Sequence, residues 1–409
     1  MVTSLSLIFL VGLSLAAVCE KIHLPRIIGM MVSGILLGPF VLDWLDPQIL
    51  GISSQLRQMA LIIILIKAGL SLDLSDLKKV GRPAVLMSFV PASFEIIGYV
   101  LFAPLLLGVS SMEAAVMGAV LGAVSPAVVV PRMIRLMEEK RGTDKSIPQL
   151  IMTGASCDDI FVIVLFTTFL SMAQGGKPKL LDFVNIPISI LLGVAVGAVF
   201  ALILALFFEK AYARGHLIRN SVKVMIILGV TFLLIAIETW VKQWVAVSGL
   251  LAVVSMACVL KIKSADCVTR RLSEKFGKLW LAAEVILFVL VGAAVDIRYT
   301  LSAGMAAIGM IWIALTFRAV GVALCLIGTS LNIRERFFCV IAYLPKATVQ
   351  AAIGSVPLSM GLPCGSIVLS VAVLGILITA PLGALGIDLS CKKLLKSIAE
   401  LSDGTNDIQ

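Results

Sequence analysis

Charge is what this chain has least of. Aspartate, glutamate, lysine and arginine make up 14% of its 409 residues, while 60% are hydrophobic and the mean hydropathy is +1.10. Soluble domains carry about 25% charged residues, so a water-soluble fold is excluded. Histidine is almost missing, with only His23 and His216, and the eight cysteines stand singly with no CxxC pair. A zinc ribbon and a disulfide scaffold are therefore excluded, and the cysteines read as small buried hydrophobes. Long polar stretches are absent too. The longest interruptions, Lys140 to Ser146 and Lys261 to Lys278, are too short to bury a core, so one membrane domain over residues 1–409 is expected. The first apolar run, Leu5 to Val18, lacks a basic segment before it and reads as a retained helix rather than a cleaved signal.

What remains is a series of apolar runs of membrane-crossing length without apolar–polar alternation, the mark of helices and not of a transmembrane barrel. An all-α polytopic membrane protein with thirteen transmembrane helices is expected, at about 3–19, 25–42, 58–72, 82–107, 112–131, 149–173, 184–208, 222–239, 243–260, 279–295, 301–327, 336–353 and 366–387. Twenty-five of the thirty-three basic residues then fall in odd-numbered loops or after the last span, among them Lys78, Lys79, Arg334, Arg336, Lys392, Lys393 and Lys396. By the positive-inside rule the N-terminus is outside and the C-terminus cytoplasmic, in a plasma membrane or a bacterial inner membrane. The net charge of +9 is thus a topology signal and not a nucleic-acid footprint.

Seven charges are left inside spans: Lys67, Glu95, Asp158, Asp159, Glu284, Arg318 and Lys346. A charge in hydrocarbon costs several kcal/mol, so each is a functional candidate, and Asp158 beside Asp159 is the most expensive pair. The surroundings repeat. Gly69-Leu70-Ser71-Leu72-Asp73 matches Gly292-Ala293-Ala294-Val295-Asp296, Val32-Ser33-Gly34 matches Val247-Ser248-Gly249, and Glu95 and Arg318 share the first pair's offset of 223 residues. Residues 1–173 and 222–388 therefore read as two inverted six-helix repeats, joined by a linker helix in 174–221 and followed by a cytoplasmic tail, 389–409. Proline breaks both halves at equivalent places, Ser125-Pro126 and Leu344-Pro345-Lys346. It removes a backbone donor and clashes with the preceding turn. Matched broken helices in inverted repeats point to a transport site, here built from crossed breaks.

Asp158 lies about 14 Å along its helix from Gln149, close to half the hydrocarbon thickness. Carboxylates at that depth hold a proton or a dehydrated monovalent cation, and competition between the two gives exchange. Asp158, Asp159 and Ser125 are the candidate ion- and proton-binding residues, with sodium or lithium at Asp159 and Asp158. Pro126, Pro345 and Lys346 form the helix breaks and their charge support, Lys346 offsetting the negative end of a half-helix. Glu95 and Arg318 are expected to form a structural ion pair, with direct ion coordination or proton carriage by Glu95 as the sharper alternative. Lys67 and Glu284 suit snorkelling or mutual pairing.

These residues resemble the monovalent cation:proton antiporter superfamily over nearly the whole length. The likeness is carried by Gly34-Ile35-Leu36-Leu37-Gly38-Pro39, Ser125-Pro126-Ala127-Val128-Val129-Val130-Pro131, the aspartate dyad and Leu344-Pro345-Lys346-Ala347-Thr348-Val349-Gln350. The last three look most like the sodium/proton exchangers of solute carrier family 9 subfamily B and their bacterial relatives. The resemblance implies a homodimer whose core, spans 3–6 and 10–13, moves like an elevator against a dimerisation domain. It also implies Asp159 as carrier assisted by Asp158, and a Glu95–Arg318 salt bridge. Where relatives often carry arginine, this chain has Lys67. Sodium (or lithium)/proton exchange without a cofactor is the expected function. A potassium/proton antiporter is the alternative, since carboxylate oxygens do not fix cation size. An intramembrane aspartyl protease is a remote one, because its two aspartates sit on facing helices and not side by side.

Overall fold

The computed structural model describes residues 1–22, 24–71, 81–174, 180–215, 218–241 and 247–396, the side chains of 71, 156, 180–190, 266 and 297–303 excepted. Asp73, Lys78, Lys79, the start of the linker and the tail beyond Lys396 lie outside the described residues. Every regular element among the described residues is a helix. Nine helical stretches among the described residues are long and apolar enough to cross a membrane, Arg82–Leu107 and Ser111–Glu138 each taken across an interruption, and Arg26–Leu37 is a shorter apolar helix.

Three expected spans turn out to be interrupted. Residues 82–107 divide into Arg82–Met87 and Val90–Leu107, because Pro91 sits at the start of the second helix, where its missing N–H is not needed. Residues 112–131 divide into Ser111–Leu121 and Pro126–Glu138, with 122–125 non-helical. Residues 336–353 divide into Ile333–Ala342 and Thr348–Ile353, with 343–347 non-helical. The first halves of the last two start alike. Ser110 with Glu113, and Asn332 with Glu335, each form a reciprocal capping box that satisfies helix-end donors. At the far end of the chain, Gly365–Leu394 runs past the expected limit of its span. Lys392 and Lys393 occupy its last turn, where cations suit the negative end of the helix dipole.

The chain forms two compact units. The first comprises Met1–Ser54, Asp73–Val162 and Phe288–Gln409. Here small residues let helices meet backbone to backbone. A Cβ on Gly34 would overlap the carbonyl of Val289, and one on Gly292 that of Met31, the close approach that glycine permits in membrane helices. Val90–Leu107 packs along Ile297–Cys325, with Gly98 against the Phe317 ring and Phe102 meeting Phe317 edge to face at 6 Å (5.9 Å between centroids). Met87, Val124, Met133, Ile151, Phe338 and Tyr343 belong to one buried apolar cluster that surrounds the breaks.

The second unit comprises Gln55–Leu72 and Ile163–Leu287. Leu180–Ala213 packs on Gly249–Lys263, Gly197 against the Ala252 backbone, and the Ser255 hydroxyl donates to the Val194 carbonyl at 2.9 Å.

Candidate functional site

The two helix breaks meet inside the first unit. The Ser125 N–H donates to the Pro345 carbonyl at 2.8 Å, joining one unwound strand to the other. Helix Gly365–Leu394 passes beside them: Gly383 abuts the Pro345 ring, and the Thr379 hydroxyl accepts the Lys346 N–H at 2.9 Å. Gln350, fully buried, braces both breaks. Its carbonyl oxygen accepts the Ala347 N–H and its amide nitrogen donates to the Ala123 carbonyl, each at 2.8 Å. Unwound backbone in a buried place must find such partners or lose several kcal/mol per group.

Five ionisable side chains converge there, each buried. Arg318 is at the centre. Its guanidinium donates to Glu95 Oε2 at 2.8 Å, to Asp158 Oδ2 at 2.8 Å, to the Tyr343 carbonyl at 2.6 Å and to the Gly122 carbonyl. It therefore ties both carboxylates and a carbonyl from each break into one network, using the planar fork that lysine lacks. The Tyr343 ring lies 5.2 Å from the guanidinium carbon, and the Tyr343 hydroxyl donates to the Met87 carbonyl at 3.0 Å. Lys346 Nζ donates to Glu95 Oε2 at 2.5 Å. Asp158 Oδ2 also accepts the Val124 N–H at 2.9 Å.

Asp159 is placed differently. On an α-helix it points about 100° away from Asp158. Its Oδ1 is buried and has no hydrogen-bond partner among the described residues, and the same holds for Asp158 Oδ1 and the Ser125 hydroxyl. Three buried oxygens, two of them from carboxylates, thus have no donor to accept from. Oxygen sets of this kind suit hard monovalent cations or a proton. In charge, Glu95 and Asp158 balance Arg318 and Lys346, and Asp159 is the odd one out.

Asp158, Glu95, Arg318 and Lys346 are thus bonded together, and Pro126 begins the helix after one break while Pro345 lies within the other. Lys346 is turned toward Glu95. Lys67 and Glu284 belong to the second unit, are half-buried, and act on each other electrostatically. The sequence reasoning assigned no role to Gln350, Tyr343, Thr379 or the Gly122 carbonyl. Gln350 had one usable signal: an uncharged amide in an apolar helix, three residues after a break that exposes backbone donors.

Residues 5–392 match the model of the family described as "sodium/hydrogen exchanger, transmembrane". The chain belongs to the sodium/hydrogen exchanger family. Among its relatives, sodium/hydrogen exchanger 9B2 of Homo sapiens is 34% identical over 389 residues, covering 92% of this chain and 70% of that protein. Sodium/hydrogen exchanger 9B1 of Homo sapiens is 30% identical over 387 residues, covering 91% and 73%. A solved structure of the sodium proton antiporter MjNhaP1 from Methanocaldococcus jannaschii superposes with a TM-score of 0.78 over 96% of this chain and 98% of that one, at 21% identity, a likeness of fold. The family consists of transporters and not of enzymes. Its members work on the ions they carry and need no cofactor.

Proposed function

We propose that this chain exchanges sodium or lithium for protons across a membrane, with Asp159 as the carrier. The observation that carries the reading is the charge balance at the crossed breaks. Four buried ionisable groups pair off through Arg318 and Lys346, and Asp159 Oδ1 has no partner among the described residues. A lone buried carboxylate is strongly disfavoured, so it is held with either a proton or a metal cation, and the two compete for it. Ser125 and the free oxygen of Asp158 assist the metal ion, and Arg318 with Glu95 keeps the breaks in register. The names of the relatives support sodium as the metal ion.

The same reading includes thirteen spans in two inverted repeats and elevator-type alternating access in a homodimer set in membrane lipid. It places the protein in a plasma membrane, or a bacterial inner membrane, with the N-terminus outside. The matched capping boxes and matched breaks of the two broken helices support the repeats. The aspartyl protease reading is set aside, because the chain is a transporter and Asp158 is held by Arg318 and Val124.

In reconstituted vesicles, Asp159→Asn removes sodium-driven proton movement while the purified protein keeps its melting temperature. Exchange at the wild-type rate would refute the carrier assignment. Titrating the flux with sodium, lithium and potassium separates this reading from potassium/proton antiport.

A further inference from the structure

The first unit carries a second polar site that ion exchange does not use. A cavity of about 800 Å3 lies between the start of helix Ile333–Ala342 and the end of helix Gly365–Leu394, two helices that pack on each other. Its lining includes Arg334, Arg336, Lys392, Lys393 and Lys396 and no acidic residue.

Two carboxylates on the same helices are already engaged. Glu335 takes Lys145 at 2.9 Å and the Asn332 N–H at 2.7 Å, and Asp388 takes Arg132 at 3.2 Å. Arg336 donates to the Thr329 carbonyl. Arg334, Lys392, Lys393 and Lys396 are exposed and have no ion-pair partner among the described residues. The basin does not depend on a loose end. The Arg141 guanidinium donates to the Leu395 carbonyl at 2.8 Å, and the Gly142 N–H to the Lys396 carbonyl at 3.0 Å. Five like charges held around one hollow, four of them without an ion-pair partner among the described residues, repel each other unless an anion enters it.

We infer that this cavity binds the headgroup of an anionic phospholipid. The same two helices supply what the acyl chains need. Ile333 is 84% and Phe337 57% exposed, one turn apart on one helix face, and Leu382, Leu385 and Leu389 form an exposed stripe on the other helix. A soluble anion would gain nothing from that apolar surface, whereas a basic cluster at the end of a membrane helix beside exposed apolar side chains fits lipid. On the proposed orientation the lipid belongs to the cytoplasmic leaflet. The binding itself rests on the cavity and not on ion exchange.

Native mass spectrometry of the full chain in a neutral detergent tests this, with dioleoyl phosphatidylglycerol, dioleoyl phosphatidylcholine and inorganic phosphate as the probes. The wild type retains phosphatidylglycerol in preference to phosphatidylcholine, and inorganic phosphate does not displace it. Each neutralised cation weakens retention roughly fivefold, so Arg334→Gln/Lys392→Gln/Lys393→Gln/Lys396→Gln abolishes the preference. Lys210→Gln/Lys263→Gln/Arg271→Gln/Lys278→Gln, which removes the same charge from exposed positions elsewhere, leaves it intact. If the fourfold variant fails to fold, the single variants Lys393→Gln and Lys396→Gln carry the test through their graded loss. The inference is overturned if the site variants keep the preference, if the control loses it equally, or if inorganic phosphate displaces the lipid.

Discussion

Glu95→Gln disturbs the charge balance without removing a hydrogen-bond acceptor. Glu95 Oε2 receives Arg318 at 2.8 Å and Lys346 at 2.5 Å, and a glutamine carbonyl can take both donors, so the packing survives. The charge does not. Arg318 and Lys346 then face Asp158 alone, and the surplus positive charge opposes any cation arriving at Asp159. The bonds through Arg318 place Glu95 on the order of 10 Å from Asp159, and Coulomb's law at an effective dielectric of about 20 gives about 1.7 kcal/mol. That corresponds to a roughly 10- to 20-fold rise in the sodium KM. The assay is sodium-driven proton flux in vesicles with an internal pH dye, at alkaline pH where protons no longer compete for the site. Adding Lys346→Met to Glu95→Gln restores neutrality and returns the KM to within about threefold of wild type, a non-additive result expected of groups in one network. An unchanged KM in the single variant, or a double variant worse than either single one, would refute the balance argument.

Gln350→Ala leaves the Ala347 N–H and the Ala123 carbonyl without partners. At about 1–3 kcal/mol for each orphaned buried group, it lowers the melting temperature well beyond the error of a fluorescence melt, and an unchanged melt would show that the brace is dispensable. Gly34→Ala drives a methyl into the Val289 carbonyl and prevents recovery of folded protein, whereas Gly229→Ala, with nothing within 4 Å of its Cβ, yields wild-type amounts on size-exclusion chromatography. On the proposed mechanism one carboxylate trades one proton for one monovalent cation, so electroneutral exchange is the expected outcome. A potassium diffusion potential set with valinomycin leaves the rate unchanged, and acceleration by the potential would require a second titrating group.

The helical class was legible because hydrocarbon leaves a chain few ways to satisfy its backbone. The breaks at 122–125 and 343–347 fall beside Pro126 and Pro345, where the missing donor is visible in the sequence itself. The interruption at Ser88 and Phe89 was not legible. Pro91 was in view, but proline early in a helix and proline within one look alike until the preceding turn is seen. At the site, a spacing of 223 residues singled out Glu95 and Arg318 but could not reveal that Arg318 is shared. The reach of a guanidinium to Asp158, Gly122 and Tyr343 depends on how four helices cross, and no periodicity along one of them contains that. The side-chain partner of Lys346 was out of view for a related reason. Its place after a break suggested a helix dipole to offset, and the sequence holds no sign that its ammonium also reaches Glu95, 251 residues away.

Obligatory coupling follows from the same balance in the proposed cycle. Glu95, Asp158, Arg318 and Lys346 sum to zero, so moving them through the membrane together carries no net charge. With Asp159 ionised and empty, the moving body carries one uncompensated negative charge in a place of low dielectric, at a cost of several kcal/mol. Bound to a proton or to sodium, it carries none. The loaded forms therefore cross and the empty form does not, which is what separates an exchanger from a leak. A frame with one more cation would neutralise Asp159 permanently and leave nothing to carry. A frame with one fewer would add a second carboxylate in need of a cation and change the stoichiometry.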